Sequence, residues 1–233
     1  MKKFTVFIVM VIFIVFVYLG YQAAANLKTQ SAVGSVPANA ATALASTQQN
    51  VLLIHVDDLA QAKPKLISVW GFFAYYSTPN QVVFLPLLPS FDPTVQSTMM
   101  GRFSLDKNRQ VSRDFITALQ QKFNIKVTGV VVTDNTGLSF FTSQLTGQTE
   151  PVLAAPAETD EQKRLVLTNA TFFFQTTCTS VLNKSGDVLT NLDWKQLAPD
   201  HFSTTLPFET IMVDRQKLFS SDAVNQCVVL GFE

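Results

Sequence analysis

The chain has 233 residues, 17 basic and 17 acidic side chains, and no net charge. Neither sign forms a run, which excludes the clustered Lys and Arg of a nucleic-acid footprint. The two cysteines come without a CxxC or spaced His, which excludes a zinc pattern.

Residues 1–21 (MKKFTVFIVMVIFIVFVYLGY) carry Lys2 and Lys3 and then no charge. As a helix rising about 1.5 Å per residue, Phe4 to Tyr21 spans roughly 27 Å, near the thickness of a hydrocarbon core. The two lysines keep the N-terminus cytoplasmic, so the rest of the chain is expected outside the membrane. Two readings compete. One is a retained transmembrane signal anchor. The other is a signal peptide cleaved near Ala25, where Ala23-Ala24-Ala25 offers a small-residue site and release would give a secreted protein. The length of the apolar run favours the anchor.

Residues 22–48 are built from Ala, Gln, Ser, Thr and Asn without periodicity and read as a flexible tether. Residues 49–233 then suffice for one domain with a sizeable core. Val51 to Val56 is a buried-strand pattern ending at Asp57 and Asp58. His55, Asp57 and Asp58 form a polar string there, with 55 and 57 on one face and 58 on the other. It reads as a strand-end cluster facing water, or as a metal site completed by Asp200 or His201. Leu66 to Tyr76 (LISVWGFFAYY) reads as a second strand. Thr78-Pro79-Asn80 makes the turn into a third strand, Gln81 to Leu88, where Pro86 argues for an edge or an early end to pairing.

Val111 to Phe123 places Val111, Phe115, Leu119 and Phe123 on one helical face. Asn124 to Thr133 reads as a strand, and Gly137 to Leu145 as a short helix stopped by Gly147. Thr159 to Gln162 is a capping-box pattern opening a long helix to about Leu182. A further short helix is expected from Asp193, and strands and loops from Phe202 to Phe232. The order implies an α/β domain with a mixed central β-sheet flanked by helices. Of the 20 Phe, those beyond the anchor belong to a core or to a pocket. An oxidising compartment allows a disulfide between Cys178 and Cys227, with two buried thiols as the alternative.

Four stretches in this order resemble the LytR-CpsA-Psr family of extracytoplasmic proteins. Residues 50–57 (NVLLIHVD) are similar to its opening strand, N-I-L-L-L-G-x-D. Residues 66–87 fit its following hairpin, and 123–147 (FNIKVTGVVVTDNTGLSFFTSQLTG) its strand, Asp, helix and Gly. Residues 161–197 resemble the region after its R-Q pair, with Thr190-Asn191-Leu192 echoing a T-N-L segment. The family transfers glycopolymers from polyprenyl-phosphate carriers to the cell wall. Its phosphate-gripping Arg falls here on Leu59, and its magnesium-binding Asp near Trp70. Its P-R-D becomes Leu88-Pro89-Ser90-Phe91-Asp92, and its R-Q pair Gln162-Lys163-Arg164.

A pyrophosphate substrate needs fixed cations, and loss of one preorganised donor commonly costs about 10²–10³ in rate. The expectation is therefore a degenerate, non-catalytic member without a cofactor. It would be tethered to the membrane and would bind polyprenyl-linked glycopolymer, cell-wall polymer or an envelope partner, but not nucleic acid. The ligand-binding candidates are Asp57 and Asp58, with Phe115, Phe123, Phe140, Phe141, Phe172 and Phe173, which the resemblance sets around an isoprenoid site between sheet and helices. Two alternatives stand beside this reading: an active phosphotransferase using Mg²⁺ with relocated basic residues, and an unrelated structural or adhesion domain.

Overall fold

A computed structural model describes residues 48–76, 80–147, 152, 154–183, 197–207, 209–211, 213–214 and 224–231. Internal contacts divide the chain into 1–41 and 42–233, and all described residues belong to the second unit. The expected anchor, nearly all of the tether, the turn at 78–79, Thr190 to Leu192 and the helix start at Asp193 lie outside them. Among the described residues no helix is long and apolar enough to cross a membrane.

Six strands form one mixed sheet: β1 (Gln48–Val56), β2 (Leu66–Tyr75), β3 (Asn80–Leu88), β4 (Gly129–Thr133), β5 (Phe202–Thr204) and β6 (Val224–Val229). Their order is β5-β4-β1-β2-β3-β6. The β1–β4 and β3–β6 pairs are parallel and the others antiparallel. Strand β1 begins inside the stretch expected to be tether because Asn50 anchors it: Asn50 Nδ2 donates to the Lys126 carbonyl at 2.7 Å, and Thr128 Oγ1 bonds the Asn50 carbonyl at 2.8 Å. Strand β3 is not an edge, since β6 lies beyond it. Its pairing with β6 nevertheless ends at Phe84, two residues before Pro86, which has no N–H to offer.

Among the described residues four helices of at least 10 residues flank the sheet: α1 (Pro93–Arg102), α2 (Arg113–Phe123), α3 (Asn135–Thr146) and α4 (Asp160–Asn183). The sequence reading does not anticipate α1. Its signal is short: Pro93 stands at the first helical position, and Asp92 Oδ1 accepts from Thr94 N and Val95 N at 2.8 and 3.3 Å. Helix α2 starts two residues later than its periodicity implies, because Val111 is bridged to Leu105. At the start of α4 the capping box is reciprocal. Gln162 N donates to Thr159 Oγ1 at 3.2 Å, and Thr159 N donates to Gln162 Oε1 at 3.0 Å. Strand β4 is shorter than its apolar run, since Asn124 takes a left-handed cap at φ 50° and the chain becomes regular only at Gly129. Residues 209–211 and 213–214 are helical where only strands and loops are expected.

Alternation along the strands gives each face its own core. Leu52, Ile54, Val69, Val130 and Val132 pack with Val95, Met99, Phe115 and Leu119 of α1 and α2. Trp70, Ala74, Val82 and Phe84 pack with Leu167, Phe174 and Cys178 of α4. Cys178 and Cys227 are joined in a disulfide, Cα–Cα 5.8 Å, which ties α4 to the outer strand β6.

That bridge closes a loop with a sequence separation of 49. In the chain-entropy account its removal costs roughly 4 kcal/mol. Cys178→Ser is expected to lower the urea midpoint accordingly, and reduction of the wild-type protein to give the same midpoint. Equal midpoints for oxidised protein and variant would show that the bridge contributes nothing.

Candidate functional site

The C-terminal ends of β1 and β4 meet the N-terminus of α3, where Asp134 is the N-cap and only 1% exposed. Its Oδ1 accepts from Gly137 N at 2.9 Å. Its Oδ2 accepts from Leu59 N at 3.1 Å and from His201 Nδ1 at 2.8 Å. One carboxylate thus holds the start of a helix, the β1–β2 loop and the segment leading into β5. The packing is close: a Cβ on Gly137 would lie 2.5 Å from the His201 carbonyl oxygen. His201, one imaginable metal partner of His55, is therefore engaged with Asp134. Among the described residues no group of His, Cys, Asp and Glu is placed to hold a metal ion.

Asp57 and Asp58 shape the β1–β2 loop. Asp57 Oδ1 accepts from Asp58 N at 2.8 Å and Lys65 N at 2.7 Å, and Asp58 Oδ1 accepts from Ala60 N at 2.8 Å. The Asp58 bond is an Asx turn, and the Asp57 bonds tie the start of the loop to its end at Lys65. Among the described residues neither carboxylate forms an ion pair. Leu59, at the position where the resemblance places a phosphate-gripping Arg, is 2% exposed and belongs to the core beside α1 and α2. Trp70, near the position of the metal-binding Asp, is 1% exposed and lies 4.9 Å from the Phe174 ring.

The remaining positions of that comparison are also occupied by structural work. Asp92 caps α1, and Gln162 closes the capping box. Lys163 pairs with Asp160 at 2.8 Å, and Arg164 sits 5.2 Å over the Phe91 ring. Arg109 donates to the Pro199 carbonyl and lies 3.5 Å from Asp200.

Between the sheet and helices α3 and α4 lie two cavities. The outer one, about 520 Å³, opens between α4 and residues 152–156; the inner one, about 220 Å³, reaches Trp70, Phe174 and Phe202. His55, Ser68, Leu138, Ala170 and Phe173 line both. The outer volume falls within the range of small-molecule sites, roughly 300–1,000 Å³. Of the phenylalanines expected at a ligand, Phe173 lines both cavities and Phe141 the inner one, while Phe172 lines the outer one and is 60% exposed. Phe140 is half-buried with its ring 6.1 Å from Phe141. Phe115 and Phe123 lie on the opposite face of the sheet, the former fully buried, because the helix that carries them packs on the other side.

The polar residue that the sequence reading leaves among strand-end groups is His55. Its Nε2 lies 2.9 Å from Asn135 Oδ1. The amide of Asn135 is oriented by the backbone of Ala154, whose N–H donates to Oδ1 and whose carbonyl accepts from Nδ2. Oδ1 is thus an acceptor, and Nε2 of His55 carries the proton. Burial lowers the His55 pKa to about 4, against the raising effects of the Asn135 bond and of Asp134 and Asp57. The ring is neutral at physiological pH. Ser68 stands directly opposite on β2. The sequence signal for this pair is weak: two polar residues at matching positions of two otherwise apolar strands.

No protein-family model matches the chain, and no curated protein matches it either. Solved structures similar to it include a transcriptional regulator from Enterococcus faecalis, at 13% identity and TM-score 0.46, over 81% of this chain and 77% of that one. TagT bound to LIIa-WTA is similar at 12% identity and TM-score 0.43, over 87% and 82%. TagV of B. subtilis is similar at 10% identity and TM-score 0.42, over 80% and 85%. Likenesses at this level do not bear on function.

Two outcomes are expected from this geometry. Asp134→Ala leaves two backbone donors and a histidine without their acceptor and should cost about 3–5 kcal/mol, read by urea unfolding; a loss below about 1 kcal/mol would deny the carboxylate its central role. The His55 pKa is depressed in the folded state, so its stabilising contribution is complete above pH 6.5 and is lost as pH falls toward 4. The loss amounts to roughly 3 kcal/mol at most. His55→Phe should flatten that part of the stability–pH curve, and an unchanged slope in the variant would contradict the assignment.

Proposed function

We propose that this chain is a non-catalytic protein of the cell envelope, held at the membrane by residues 1–21. Its domain would resemble the LytR-CpsA-Psr family and bind an apolar lipid chain between the sheet and helices α3 and α4. The observation that carries this reading is the cavity itself: two adjacent volumes between sheet and helices that share five lining residues, with no Lys, Arg, Asp or Glu among the described residues that line them. Phosphoryl transfer depends on cations and a metal aimed at the transferring group. At the two positions where the resemblance asks for an Arg and an Asp, Leu59 and Trp70 are buried in the apolar core. Asp57, at the matching acidic position, is bonded to its own loop.

The cavity supports the lipid-holding half of the family's activity, and the surroundings of Leu59, Trp70 and Asp57 support the loss of the phosphate-handling half. A protein of this kind would retain or present lipid, including lipid-linked or wall-associated polymer, or serve an envelope partner.

The full chain is expected to show no Mg²⁺-dependent hydrolysis of geranylgeranyl pyrophosphate. Turnover that disappears in Asp57→Asn would overturn the non-catalytic reading. For binding, Ala170→Phe fills the junction of the two cavities and should weaken uptake of a fluorescent apolar probe at least about tenfold, as expected when a well-formed apolar site is blocked. An unchanged probe affinity would count against the cavity as the binding site.

A further inference from the structure

The two cavities share His55 and Ser68 among their lining residues. With Nε2–H committed to Asn135, a neutral His55 keeps Nδ1 as a hydrogen-bond acceptor. Among the described residues Nδ1 has no partner. The Ser68 side chain, 3% exposed, has none either, though it can both donate and accept. Two residues along the same face of β2, Trp70 Nε1 is buried without an acceptor. Of the three only Trp70 Nε1 is fully buried without a partner, while His55 and Ser68 line the cavities, where an entering group can reach their polar atoms.

A hydroxyl group suits His55 and Ser68. It can donate to Nδ1 of His55 and accept from Ser68 at once. A hydrocarbon leaves both unpaired. A phosphate or carboxylate would meet no cation among the described residues of the wall, and its lone pairs would oppose that of Nδ1.

We propose that the cavity takes an uncharged, hydroxyl-bearing long-chain amphiphile, a long-chain alcohol in chemical class, with its hydroxyl held between His55 and Ser68. This rests on the cavity being a lipid site, as argued above, and adds what the polar end of that lipid must be. It also sets this site apart from one built for a phosphorylated carrier.

The test compares 1-dodecanol, dodecane and dodecyl phosphate on the immobilised full chain by equilibrium binding of labelled ligand. Only the part abolished by Ala170→Phe is counted, so that partition into the apolar residues 1–21 does not contribute. Dodecanol should bind about tenfold tighter than dodecane, and dodecyl phosphate at least about tenfold weaker than dodecanol. His55→Phe and Ser68→Ala, each checked for folding by thermal unfolding, should bring the affinity for dodecanol close to that for dodecane measured on the same variant. If dodecanol binds no better than dodecane, or dodecyl phosphate binds as well as dodecanol, the hydroxyl site is wrong while the lipid cavity stands. If no probe shows binding sensitive to Ala170→Phe, both fail.

Discussion

The buried carboxylate of Asp134 is where the domain's separate pieces are made to agree. Strand β4 delivers it to the sheet end, and α3 begins on it. Through Oδ2 it also fixes the loop after β1, and through His201 the segment that becomes β5. A carboxylate at a helix N-terminus is favoured by the helix dipole, and charge-assisted bonds are about twice as strong as neutral ones. Burial raises the stakes, because a charge taken out of water without full pairing destabilises by several kcal/mol. The same arrangement positions the cavity. Asn135, the next residue, orients His55, and Leu138 one turn along α3 lines both volumes.

The face bearing α1 and α2 packs closely around Phe115 and Leu119 and keeps an opening of about 320 Å³ beside Asn124 to Lys126, while the face bearing α3 and α4 holds the two cavities. On the first side Phe115 and Leu119 are fully buried among branched aliphatics from β1 and β4. On the other side, large rings stack at one end of α4, Phe174 between Trp70 and Phe84 with centroids 4.9 and 4.4 Å away. Near the other end, Ala170 and the backbone around Ala154 leave space that no large side chain fills. The disulfide from Cys178 to β6 pins the ring-packed end. The open end keeps Leu165 and Phe172 at the rim, 59% and 60% exposed, an apolar edge of the kind that surrounds a binding site more often than a plain surface.

Much of this is legible in sequence because the signals are local. The first three strands, the Gly147 stop and the Thr159–Gln162 cap each rest on a few neighbouring residues. Helix α1 is missed because its buried face is only Val95 and Met99, and its clearest mark is the pair Asp92-Pro93, of which the sequence reading uses only Asp92, as the end of the stretch compared with P-R-D. The site is less legible. Phe115 and Phe141 look alike in a helical pattern, yet they lie on opposite faces of one sheet, which only the connectivity decides. Asp134 has a local signal, an Asp between a strand and a helix, but its bonds to Leu59 and His201 span sequence separations of 75 and 67. Asp57 and Asp58 draw attention as acidic neighbours, whereas their bonds close a turn.

The uncharged side chains among the described residues of the cavity wall and the burial of Leu59 and Trp70 are parts of one packing arrangement. An arginine at Leu59 would have to leave the core it now fills, since its backbone N–H is held by Asp134 and its side chain faces the branched aliphatics beside α1 and α2. An aspartate at Trp70 would remove the ring that packs on Phe174 and would bury a carboxylate beside an apolar void. Single substitutions to Arg at Leu59 or Asp at Trp70 would therefore meet packing built from apolar residues, at the cost expected for a buried unpaired charge. That coupling makes the neutral cavity a property of the whole packing rather than of a few missing side chains. A ligand entering there would meet neutral hydrogen-bonding groups, and among the described residues His55 and Ser68 are the polar ones both volumes share.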